Sequence, residues 1–148
     1  MRSLLIEHAQ QMRKQRKWLA QSLLVCQKIG VQATYSDDEL GSFELLAGRY
    51  ARGIDFLIRK LFRSIDAYEF ENQGTLIDTV NHAHKRGLVD DIETLRLMKD
   101  IRNTIAHEYI EEHLQNVFDE VLEYTPILVS LIDRTLTYVE TITQQEHS

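Results

Sequence analysis

Apolar residues recur at three- and four-residue intervals along almost the whole chain, the spacing of one face of a helix. Leu5, Met12, Leu19, Leu23 and Cys26 keep this register from about Leu4 to Ile29, and Gly30 stands where a helix stops. Ser36-Asp37-Asp38-Glu39 has the form of an N-cap followed by first-turn acids. The clearest stripe follows: Phe43, Leu46, Ala47, Tyr50, Ile54, Leu57, Ile58, Leu61 and Ile65 predict a helix to about Tyr68, ~45 Å long. Asn72-Gln73-Gly74 reads as a loop. A shorter helix is expected from about Thr75 to Lys85, closed by Arg86-Gly87. A fourth, capped by Asp90-Asp91, carries Ile92, Leu95, Met98, Ile101 and Ile105. The last begins near Glu111 and carries Leu114, Val117, Val121, Leu128, Ile132, Leu136 and Val139. Pro126 should kink or restart it, because proline has no donor and clashes with the preceding turn. The pattern predicts an all-α, up-and-down bundle of about five helices, one domain over residues 1–143, with 144–148 as a frayed tail.

Composition narrows the picture without changing it. The chain has 148 residues, one proline and six glycines, which suits long helices and a real core. A net charge of −6 argues against a general nucleic-acid coat protein, though it leaves room for a local basic groove. Cys26 is the only cysteine, so an intrachain disulfide and a multi-cysteine zinc site are both excluded. The apolar start is too short for a signal peptide, and Ile127 to Ile132 is too short to span a bilayer. The expectation is a soluble, cytoplasmic domain.

One short stretch carries candidate chemistry: Arg102-Asn103-Thr104-Ile105-Ala106-His107-Glu108-Tyr109. Arginine forks onto phosphate oxygens, and histidine exchanges protons near neutral pH. Residues five apart on a helix diverge by about 140°, so Arg102 and His107 point apart on an unbroken one. Arg102 and Tyr109, seven apart, share a face, and Asn103 and His107, four apart, are neighbours. Three routes would bring arginine and histidine together. The helix ends near Ala106, the arginine wraps, or a symmetric partner chain supplies a second copy.

In this stretch and in its helix layout the chain resembles the HEPN superfamily of small helical bundles. Their mark is arginine, a polar residue, three further positions and histidine, matched here by Arg102, Asn103 and His107. Tyr109, two places after the histidine, resembles the HepT-like branch, whose members pair with a minimal nucleotidyltransferase in bacterial and archaeal toxin–antitoxin modules. The resemblance implies a homodimer whose two motifs face one groove and act as a metal-independent RNA endonuclease, with no cofactor. Transfer RNA or messenger RNA is the substrate it implies. His107 would exchange protons with the 2′-hydroxyl and leaving oxygen, Arg102 would hold the phosphate, and Asn103 would orient phosphate or imidazole. Tyr109 would be the site of AMP modification by the nucleotidyltransferase antitoxin, adding an anion that keeps RNA out. A different class of function stands beside it: a non-catalytic nucleotide- or substrate-binding subunit of the nucleotidyltransferase complex.

Other polar clusters have plainer readings. Arg49, Arg52, Arg59, Lys60 and Arg63 form the polar side of the second helix, a solvated face rather than an RNA-guiding stripe. The run from Arg13 to Lys17 reads alike, although Trp18 could stack a base if exposed. His82 and His84 lie on different sides of their helix, and no accompanying ligand pattern supports a metal site. Cys26, on an apolar face, reads as an inert core thiol.

Overall fold

A computed structural model describes residues 1–71 and 74–145, and Asn72 and Gln73 of the expected loop lie outside it. The described residues form five helical rods and no strand. The first is α1 (Arg2–Ile29). The second is continuous through α2 (Asp37–Phe56), a π-helical stretch (Leu57–Phe62) and α3 (Arg63–Tyr68). Then come α4 (Leu76–Lys85) and α5 (Ile92–Ile110). A 3₁₀ turn (Leu114–Val117) leads into α6 (Phe118–Gln145). Among the described residues no helix is long and apolar enough to cross a membrane.

Local chemistry sets most of the ends. Gly30, at φ 73°, closes α1 by donating its N–H to the Cys26 carbonyl, and Gly87, at φ 77°, follows α4. Both occupy the left-handed region that glycine enters without steric cost. Ser36 opens α2 with a reciprocal cap: its hydroxyl accepts the Glu39 N–H, and the Glu39 carboxylate accepts the Ser36 N–H at 2.9 Å. Thr75 and Asp78 repeat that arrangement at α4, and Asp91 caps α5. The Ser36 N–H holds the Glu39 carboxyl below its ordinary range. A lowered folded-state value stabilises above the unfolded carboxylate pKa of about 4.3 and is lost as pH falls through the folded value. Ser36→Ala should cost about 1 kcal/mol at neutral pH. Urea unfolding would show it as a lower midpoint at constant slope, and an unmoved midpoint would mean the cap contributes nothing.

The core runs the length of the bundle. Phe43 and Phe118 stack at 4.5 Å between ring centres, and Tyr35 meets both edge-on. Tyr50 is fully buried and donates its hydroxyl to the Met98 carbonyl at 2.9 Å, tying α2 to α5. Burial pushes the Cys26 thiol up to about 11, and Cys26 rests against the Ser42 carbonyl as an unreactive core thiol.

Two expectations need correction, and a third, at Pro126, is narrowed. The last helix begins at Phe118, not near Glu111, because the chain turns through Glu112 in the left-handed region at φ 62°. Pro126 does not restart α6, which runs through it. Val121, Thr125, Leu128 and Ile132 are buried on both sides of the proline, and this packing holds the rod together across the missing donor. The tail was expected from residue 144, but α6 extends through Gln145; residues 146–148 lie outside the described part.

Candidate functional site

The motif lies wholly inside an unbroken α5, so the helix does not end between Arg102 and His107. The two side chains diverge as the geometry demands. Arg102 reaches toward α2, where Asp55 takes one edge of its guanidinium: Nε donates to both carboxylate oxygens at 3.0 Å and Nη2 to one at 2.8 Å. Nη1 has no partner among the described residues, so the arginine is held in place with donors still to offer. The pair is about one-third exposed at the lip of a cleft of about 70 Å³, also lined by Ile58, Arg59, Lys99 and Asn103.

The π-helical stretch begins two residues after Asp55 and supplies Ile58 and Arg59 to that cleft. Such wide turns rotate the side chains around them relative to an α-helix, and they are frequent at functional positions. Leu57, Ile58, Leu61 and Phe62 are all buried within it, so the turn keeps a broad apolar face on the core while aiming Asp55 and Arg59 outward. Nothing in the apolar spacing announced it.

His107 faces solvent, 66% exposed, and its only partner among the described residues is Glu111, with Nε2 3.2 Å from the carboxylate. It does not line the Arg102 cleft. Asn103 connects the two, since it borders that cleft and sits one turn before His107 on the outer face. Ile110 continues the same outward strip, unusually exposed for isoleucine.

Tyr109 is 66% exposed and looks into a separate concavity of about 460 Å³ lined by Leu40, Glu44, Glu112, Leu114, Gln115 and Phe118. Like Arg102 it is on the α2 side of α5. Just beyond it, His113 donates to the Glu108 carbonyl and Glu112 to that of Tyr109. This is the closing pattern usually given to glycine. Carrying it with Glu112 at φ 62° concentrates backbone strain beside the tyrosine.

Within one chain, then, Arg102 and Asn103 share a cleft, while His107 and Tyr109 stand apart from it. Sequence spacing anticipated the divergence but not Asp55, which lies 47 residues from Arg102. Comparison with protein-family models, curated proteins and solved structures finds no match.

Proposed function

We propose that the chain is a metal-independent RNA endonuclease of the HEPN type, the toxin half of a HepT-like toxin–antitoxin module that works as a homodimer. One observation carries this reading: Arg102 is clamped by Asp55 with Nη1 uncommitted among the described residues, beside Asn103, which is one turn from a solvent-facing His107. Arg16 grips Asp133 by the same edge, so what sets Arg102 apart is its place in a cleft beside Asn103. Because α5 continues past His107 and Arg102 is drawn the other way, a second chain is the remaining route to a joint site. The outward strip of Asn103, His107 and Ile110 is the face such a partner would cover.

In the assembled groove, Arg102 Nη1 would bind a phosphate oxygen and offset charge as the 2′-oxygen attacks phosphorus. Two histidines would serve as proton acceptor and donor, leaving a cyclic phosphate and a free 5′-hydroxyl. The substrate class is transfer or messenger RNA. The purified chain should cleave cellular RNA in the presence of a chelator, and intact RNA at micromolar protein would remove the nuclease reading.

Control by a nucleotidyltransferase falls on Tyr109. Its exposed oxygen would attack the α-phosphorus of ATP, displacing pyrophosphate and leaving AMP on the ring. That anion would lie two helical turns, about 10 Å, from Arg102 on the same side of α5. Incubation with ATP and a minimal nucleotidyltransferase partner should add one or more AMP masses and suppress RNA cleavage. Tyr109→Phe should block both effects, whereas a Phe variant that gains the same mass would place the modification elsewhere.

A further inference from the structure

Most arginines of this acidic chain find a carboxylate. Arg13 pairs with Glu140, Arg16 with Asp133, Arg86 with Asp66 and Glu69, Arg96 with Glu93, Arg102 with Asp55 and Arg134 with Asp90. On the outer face of the second rod, Arg49, Arg52 and Arg59 have none among the described residues. Arg49 donates only to neutral acceptors, the Trp18 carbonyl and the Ser22 hydroxyl, both at 2.8 Å. Its charge is therefore fixed in position but not neutralised. In a chain of net charge −6, a row of cations without carboxylate partners among the described residues points to an anionic ligand.

Beside them, Trp18 is 46% exposed, and a concavity of about 230 Å³ is lined by Gln15, Trp18, Arg49 and Arg52. The Gln15 carboxamide oxygen is buried without a hydrogen-bond partner among the described residues, and the Trp18 indole N–H makes no hydrogen bond among them. An exposed indole face and two uncompensated guanidinium groups are what one nucleotide needs: a surface to stack on and a charge for its phosphate. The place also connects to the motif. Arg52 is one turn before Asp55 on α2, and Arg59, one turn further, lines the Arg102 cleft.

We propose that Gln15, Trp18, Arg49 and Arg52 form an anchoring subsite for single-stranded RNA. One base stacks on Trp18 and its phosphate lies on Arg52. The strand then follows α2 past Arg102. This rests on the RNA-cleaving reading for its substrate class, but it makes a separate claim about where the strand is held.

Trp18 is the only tryptophan, so its emission reports on the subsite alone. Titrating the full chain with a 2′-O-methyl oligouridylate, which lacks the attacking hydroxyl, should quench that emission saturably. Trp18→Ala should weaken binding about tenfold in an anisotropy assay, and Trp18→Phe should recover part of the loss. Arg52→Ala should lower the slope of log affinity against log salt by about 0.7, one phosphate contact on a single strand. Saturable binding without quenching and with Trp18→Ala unaffected would overturn the subsite, as would absence of any single-strand binding. Quenching without cleavage of ordinary RNA would sustain the subsite and remove the nuclease reading. Cleavage without quenching would do the reverse.

Discussion

Replacing His107 by alanine is expected to lower RNA cleavage by about two to four orders of magnitude while leaving the fold intact, because a positioned proton-transfer group contributes about that much. The side chain is mostly in solvent, and its pair with Glu111 is a surface contact worth little to stability. A stability change beyond about 0.5 kcal/mol is therefore not expected, and loss of activity cannot be assigned to unfolding. Arg102→Ala should lower the rate by about two to three orders of magnitude, the scale for losing one donor to a developing anion. Arg102→Lys should restore little, since a point charge cannot be gripped by Asp55 and still present a second planar edge to phosphate. Asp55→Asn tests the clamp itself. It keeps the size of the side chain but weakens the grip on Nε and Nη2, and a misplaced guanidinium should cost about ten- to a hundredfold. Cleavage of a defined RNA under single-turnover conditions measures all four variants. If His107→Ala cleaves like the parent chain, the motif is not the catalytic centre. If only Asp55→Asn is unaffected, the clamp is structural and the motif stands.

What could be read from the sequence divides by distance along the chain. Gly30, Ser36 and Asp91 end or begin helices through bonds to residues within a few positions, so the local pattern contained them. The divergence of Arg102 and His107 followed from helical geometry alone. The errors arose where distant packing outweighed local preference. Pro126 would break an isolated helix, yet the buried face on both sides of it holds α6 together. Glu112 takes a conformation expected of glycine, which moved the start of the last helix by about two turns. Asp55 belongs to a helix whose apolar stripe was plain, but nothing in that stripe says which acid will meet an arginine 47 residues on. The uncompensated arginines of α2 were legible as basic residues. Their lack of carboxylate partners among the described residues is a property of the folded chain, and the proposed RNA subsite is argued from it.

The largest stability effect is expected at Asp66, a carboxylate with 0% side-chain exposure at the end of the second rod. Arg86 donates to one of its oxygens at 2.6 Å, and His82 Nδ1 lies 3.0 Å from the other. Arg86 also binds Glu69 at 2.8 Å, and Glu69 in turn accepts the Tyr138 hydroxyl at 2.5 Å from α6. Burial and the Glu69 contact together push the Tyr138 hydroxyl up to about 12, so it stays a donor throughout the working range. Three rods therefore meet in one polar knot, and α4, which carries Leu76 to the wall of the Arg102 cleft, is fastened by it. Asp66→Ala leaves Arg86, only 11% exposed, with one of its two acids and strips His82 of its buried partner. Removing one side of such a pair costs about 3–5 kcal/mol, because the remaining charge stays buried. Asp66→Leu combined with Arg86→Met should regain most of that loss, since apolar replacement of both partners is commonly neutral or better. Urea unfolding of the single and double variants separates the two effects. A loss below about 1 kcal/mol in Asp66→Ala would mean that water or rearrangement meets the orphaned charge and that the knot does not hold α4. If the double variant is as stable as the parent chain but cleaves RNA more slowly, the network serves the position of the cleft rather than the stability of the bundle.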